Sequence, residues 1–229
     1  MASDPMEFCG IVAHVEHPQP AQVPVDWTRS ATLAGHVVLL AANGVGWSRA
    51  GAAVDAAVSF RPDAVVSTGF CGALDPGLNI ADVVVATCVR KHARDAEDLE
   101  YKTHTGKNAC GTSGVICSID HVAQTSEEKS RLRSSGACAV EMEAAGVAER
   151  AKALGLPFYC VKAVTDFAGE TMANDFNSAL RSDGHFDRML ILRRSLRHPT
   201  VRLPELLRLR NRCVRAARAL GDFFADCRF

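Results

Sequence analysis

Neither sign of charge is in excess in this 229-residue chain: Lys plus Arg equal Asp plus Glu at 26 each. The overall balance therefore calls for no nucleic acid or other polyanionic partner. Aromatic residues are scarce, at 6% against 48% hydrophobic residues in total. That leaves a core of Ala, Val and Leu, as where helices cover a parallel sheet. No run of about 18 uninterrupted apolar residues is available to span a bilayer. The opening MASDPMEFCG has no basic stretch and no long apolar core, so a signal peptide is not expected. Cysteine is not lacking, but its pairing pattern is: the nine form no CxxC, and nine is an odd number. Cys9, Cys88, Cys117, Cys138 and Cys160 fall within apolar runs, where the thiol behaves as a small hydrophobe. A zinc site or a secreted disulfide framework does not fit, so no metal and a reducing, cytoplasmic setting are expected.

At this length one domain over residues 1–229 is the expectation. Phe8 to Val15, Gly35 to Ala42, Ala64 to Thr68, Asp82 to His92, Gly114 to Ile119 and Phe158 to Val164 read as strands buried on both faces. Helices are expected from about Trp47 to Ser59, from Ser126 to Arg133 behind a Thr125 cap, and from Met142 to Leu154 before the cap glycine Gly155. The polar segment from Ala93 to Gly111 reads as a surface loop or flap. Two further helices, Phe186 to Arg197 and Leu203 to about Cys227, complete a C-terminal extension from about residue 176. Alternating strands and helices make this an α/β fold, three-layered (αβα) around a mostly parallel sheet. Twelve arginines against five acids between Arg181 and Arg228 give the last helix a basic face. A solvated surface is one reading of it; peripheral contact with an anionic membrane is the other.

Chemistry concentrates where strands end. CAVEMEAAGV, residues 138–147, turns from strand to helix at Glu141, Met142 and Glu143. An acid in a first helical turn is held ionised by free amides and the helix dipole. Asp166 directly follows a buried strand, a poor place for a charge unless it is used or paired. The turns Asn43-Gly44-Val45-Gly46 and Gly69-Phe70-Cys71-Gly72 let the backbone approach a polar group closely. The first lacks the third glycine of a dinucleotide fingerprint, so an oxidoreductase rests on Gly44 and Gly46 alone.

STGFCGALDPGL, CAVEMEAAGVAERAKALGLPF and CVKAVTDFAGE together resemble the nucleoside phosphorylase family, on its methylthioadenosine/S-adenosylhomocysteine nucleosidase branch. IDHVAQTSEEK and the Arg-rich tail are most similar to the hopanoid-associated phosphorylases, which act on adenosylhopane. The resemblance implies a mixed central sheet and loss of adenine from a 5′-substituted adenosine. It implies that Glu143 binds the ribose hydroxyls beside Glu141, that Met142 packs on the sugar and that Asp166 protonates the purine at N7, next to Phe167. His121 and Val122 would face the base, partly through backbone, and Phe70, Cys71 and Gly72 the ribose and nucleophile. Asp166 would have to hold a proton near neutrality while Glu143 stays ionised. Hydrolytic relatives activate water with a glutamate after the first strand, for which Glu16 stands nearest; phosphorolytic ones hold phosphate with residues where this chain has Ser67 and Phe70. Water and phosphate both remain open, with phosphate as a co-substrate and no other cofactor. Homo-oligomers are the rule in the family. A nucleoside-binding protein without turnover is the alternative from another class.

Overall fold

The computed structural model describes residues 1–93, 97–105 and 111–226. Residues 1–3 run along the sheets: Ala2 bridges Ala42, and Thr68 N–H donates to the Met1 carbonyl. A 3-10 turn, Pro5–Phe8, continues into α1, Cys9–Val12. The strand expected over Phe8 to Val15 is thus helical. The reason is local: Asp4 accepts from Met6 N–H, Pro5 starts the turn, and Glu7 reaches back to the Asp4 amide in a capping box.

A three-stranded antiparallel sheet follows, of β1 (Glu16–Gln19), β2 (Trp27–Leu33) and β3 (His36–Ala42). Helix α2, Trp47–Ala57, leads to β4 (Val65–Ser67), β5 (Phe70–Ala73), β6 (Val83–Lys91), β7 (Leu99–Lys102) and β8 (Thr112–Ser118). The segment expected as a loop from Ala93 to Gly111 therefore contains a strand, β7; residues 94–96 and 106–110 lie outside the described residues. Then come α3 (Ser126–Ser134), β9 (Ala137–Glu141), α4 (Ala144–Leu154), β10 (Phe158–Asp166), α5 (Arg188–Ser195) and α6 (Pro199–Asp226). The seven-stranded sheet runs β4-β10-β5-β9-β8-β6-β7, and β6 also pairs with β10, so the central strands close a circuit. It is mixed: β10 is parallel to β4 and β5 but antiparallel to β6, and β5 is antiparallel to β9.

β10 sits between two apolar layers. Cys160 and Val164 join the core formed with α2 and α4, while Val161 and Ala163 join the one formed with α6, as strand alternation requires. On α6 the buried positions include Cys213, Ala217, Leu220 and Phe224, at helical spacing, whereas Leu207 and Val214 are exposed. The tail is clamped onto α1 by small residues: a Cβ at Gly10 would lie 1.8 Å from the Ala217 carbonyl oxygen, and one at Gly221 2.3 Å from the Gly10 carbonyl carbon.

Candidate active site

The acids singled out above gather around β5. Strand β5 has β9 on one side and β10 on the other, with Gly72 facing Val140 across one pairing and Asp166 across the other. Glu141 and Glu143 leave the end of β9; Asp166 ends β10, where a bulge between Val164 and Asp166 shifts the register. Bulges of this kind re-aim side chains. The two acidic strand ends are therefore not neighbours on one parallel edge, as a purely parallel sheet would have them, but converge from strands of opposite sense. Between them opens a cavity of about 570 Å³, within the range of small-molecule sites. Glu141, Met142, Glu143, Asp166, Phe70, Cys71, Gly72, His121 and Val122 all line it.

A single buried cation organises the β9 side. Lys162 on β10 places its Nζ 2.9 Å from Glu141 Oε2 and 3.6 Å from Glu143 Oε2, and donates to the Thr68 carbonyl at 3.0 Å. Burial works against this ammonium, but the acids beside it hold it above its ordinary range. Glu141 also accepts from the Glu143 and Ala144 amides, at 2.9 and 2.8 Å, and so caps α4. Burial pushes Glu141 up, yet Lys162 and these bonds bring it below the usual carboxylate range. Glu143 has less: Lys162 at a longer distance and the Gly46 amide at 3.4 Å. Burial, with Glu141 as a like charge, pushes Glu143 up to about 8. The free amides expected to hold Glu143 ionised at the helix start are taken by Glu141 instead. The glycine turn before α2 accordingly delivers an amide to Glu143.

On the other side Asp166 accepts from Lys129 of α3 and, at 3.1 Å, from the Thr165 hydroxyl. Burial raises its pKa even though Lys129 pulls the other way. Gly72 is what leaves room, since a Cβ there would meet Asp166 Oδ2 at 2.7 Å. His121 is held at both ring nitrogens, 2.6 Å from Asp120 and 2.6 Å from Glu128. The Val122 N–H donates to Asn177 Oδ1 at 2.7 Å, and its carbonyl accepts from Asn177 Nδ2 at 2.9 Å.

Two expected residues fall outside. Glu16 lies on the exposed strand β1 and does not line the cavity, because the helical turn at residues 5–12 moves the chain on before that strand begins. Phe167 is 40% exposed, its ring beneath the Arg212 guanidinium at 5.1 Å. Two carboxylates reach the cavity from the N-terminal segment, Asp4 and Glu7; the buried one is Glu7, which accepts from the amides of Ser3 at 2.7 Å, Asp4 at 3.2 Å and Phe70 at 3.1 Å. Burial raises its pKa; Lys162 and these amides oppose the rise. A Cβ at Gly69 would lie 2.7 Å from this carboxylate, and Gly69 has φ +118°. The signal for Glu7 was the capping box in Ser-Asp-Pro-Met-Glu. The remaining wall has an apolar part with Met172, Phe176, Phe186, Ile191, Leu209 and Cys213, and a polar part with Ser3, Asp4, His185 and Arg188. Among the described residues no His, Cys, Asp and Glu cluster could hold a metal ion.

A mixed sheet closed around buried carboxylates that share one nucleoside-sized cavity defines the class of protein. The Phosphorylase superfamily model matches residues 19–95 and 88–185, and the chain belongs to that family. It is 28% identical over 177 residues to the 5'-methylthioadenosine/S-adenosylhomocysteine nucleosidase of Pseudoalteromonas translucida, covering 66% of this chain and 75% of that one. To the enzyme of the same name from Glaesserella parasuis it is 31% identical over 147 residues, 52% and 63% of the two chains. Among solved structures, the fold matches the Streptococcus pneumoniae nucleosidase bound to 8-aminoadenine, with a TM-score of 0.71 at 21% identity, over 98% of this chain and 96% of that one. The futalosine hydrolase of Helicobacter pylori matches with a TM-score of 0.71 at 17% identity, over 97% and 92%.

Proposed function

We propose that this chain is an enzyme that cleaves the N-ribosidic bond of a 5′-substituted adenosine and releases adenine. The observation that carries the reading is the convergence of Asp166, Glu143 and Glu7 on one cavity, each with a carboxyl raised by burial. Breaking that bond leaves the sugar cation-like and the base anion-like. Asp166 gives a proton to N7 of the departing purine; such general acids contribute roughly 10²- to 10⁴-fold. Glu143 takes the ribose hydroxyls, and the positive charge developing on the sugar supplies the compensation that Lys162 gives mainly to Glu141. Met142 packs on the sugar. Water is the nucleophile and Glu7 its base, since a carboxyl raised toward neutrality suits that work. Phosphorolysis is the second reading.

Adenine release from 5′-methylthioadenosine, assayed with and without phosphate, tests both. Release without phosphate, lowered by orders of magnitude in Asp166→Asn while nucleoside binding survives, is expected; unchanged turnover in that variant would remove Asp166 from the mechanism. The apolar wall around Phe176, Ile191 and Leu209 suits a bulky apolar 5′ group, of which adenosylhopane is the extreme case, and methylthioadenosine or S-adenosylhomocysteine the smaller ones. A lipid-bearing substrate is favoured by one more observation. Met189 and Leu192 on α5, Leu196 just after it and Leu207 on α6 are exposed, as are Arg193, Arg197 and Arg208, and such apolar and basic groups suit contact with an anionic bilayer. Salt-sensitive sedimentation with anionic liposomes is expected, and no sedimentation would remove the membrane contact. Among the described residues no helix is long and apolar enough to cross a membrane.

A further inference from the structure

The proposed reaction contains a conflict that the geometry resolves. Asp166 has to deliver a proton, yet its carboxylate is paired with an ammonium, and an ion-paired carboxylate has none to deliver. The partner is Lys129, whose side chain is 1% exposed and which also donates to the Phe167 carbonyl at 2.8 Å. Lys129 is in the first turns of α3, its amide bonded to the Thr125 carbonyl at 3.0 Å. Its Nζ has no carboxylate other than Asp166 in an ion pair among the described residues. A lysine placed this deeply loses rotamer freedom and hydration, and Asp166 alone compensates its charge.

Resting on the nucleosidase reading above, we propose that Lys129 is a positioning residue that supplies, through Asp166, the proton taken up by the departing base. As the C–N bond breaks and its electron pair moves onto the purine, an Nζ proton of Lys129 passes to the Asp166 carboxylate and on from it to N7. The step ends with N7 protonated, Asp166 again a carboxylate and Lys129 a neutral amine. Water reprotonates the amine once the cavity opens and adenine leaves. No oxidant or further reactant is required. The burial that disfavours the Lys129–Asp166 charge pair favours its neutral form, the acid–amine pair from which N7 is protonated. The other polar groups facing Asp166 are the Thr165 hydroxyl and the thiols of Cys71 and Cys213, with Glu170 more distant and neutralised by Arg212 at 2.6 Å. None of these is a cation able to take the role of Lys129.

The two-residue unit predicts a pH dependence that a scaffold lysine would not. With Lys129 present the ammonium can hand Asp166 a proton, whereas Asp166 alone must hold its own, and rising pH removes it. Lys129→Met fills the same space without charge and leaves a neutral acid that is easily buried. Its kcat relative to wild type should be within about threefold at pH 5 and should fall by about 10²-fold or more by pH 9, the scale of a lost general acid. Taking the ratio to wild type cancels the titration of Glu7 and Glu143. Lys129→Arg keeps the ion pair but gives up its proton far less readily. It should bind adenine as wild type does and lose about 10²-fold in kcat at pH 7. Full turnover in Lys129→Arg, or a loss in Lys129→Met that is equal at every pH, would overturn the proposal. Wild type releasing no adenine would instead overturn the nucleosidase reading on which it rests.

Discussion

Substituting Gly72 by alanine tests the site through one atom. Gly72 does not have a left-handed φ, so an alanine backbone fits and only space is at issue. The added methyl carbon would stand 2.7 Å from Asp166 Oδ2, about 0.7 Å inside the 3.4 Å at which ordinary contact begins. Asp166 cannot retreat freely, because Lys129 and the Thr165 hydroxyl hold it and Cys71 and Cys213 pack nearby. Either Asp166 swings off Lys129 or β5 moves away from β10. Overpacking of this kind costs about 1–3 kcal/mol, which for a chain of this size lowers Tm by roughly 2–12 °C. A general acid displaced by about 1 Å costs on the order of 10²-fold in rate. Steady-state adenine release should therefore show kcat down by about 10²-fold, with KM changed far less, as for an interaction made in the transition state. Gly77→Ala is the control, since its methyl would meet only Asp75 at 3.5 Å. Wild-type kcat and melting in Gly72→Ala would refute the placement of Asp166 against β5.

Two further outcomes follow from the same geometry. Glu7→Gln should lower phosphate-independent adenine release by about 10²- to 10⁴-fold, and Glu16→Gln on the exposed strand should leave it unchanged; the reverse result would return the nucleophile's base to Glu16. Glu143, raised from 4.5 to about 8, contributes stability that is fully present below pH 4.5 and is lost as pH rises through about 8. Thermal unfolding from pH 5 to 9 should thus shift in favour of Glu143→Gln over wild type, by at most about 1.4 kcal/mol per pH unit; a constant difference would show that Glu143 is ionised throughout.

Much of this was legible without coordinates. The strands ending at Ala42, Glu141 and Asp166 follow from apolar runs of strand length, and Gly155 ends α4 with φ +68° as a cap glycine should. The failures have a common origin in short segments with mixed signals. FCGIVAHV has strand composition, but the Asp4-Pro5 start imposes a helical turn before β propensity can act. WTRSATL has polar residues at Thr28, Arg29, Ser30 and Thr32, which blurs its period-2 pattern, and it forms β2 because β1 and β3 flank it. Lys162 and Lys129 leave a trace in the sequence: a lysine within CVKAV or just after a helix cap must find an anion when buried. The charge state of Glu143 was beyond reach, because it depends on which of two acids lies nearer one ammonium, a difference of 2.9 against 3.6 Å.

The glycine seam between α1 and α6 joins the two ends of the chain into one working part. Its contacts hold the short turn from which Glu7 extends, while Leu209 and Cys213 of the same C-terminal helix form cavity wall. The arginine-rich helix is thus scaffolding for the segment that carries Glu7. Shortening it would strip wall from the chamber and loosen a carboxylate some two hundred residues away in sequence, so the ends of this polypeptide must be altered together or not at all.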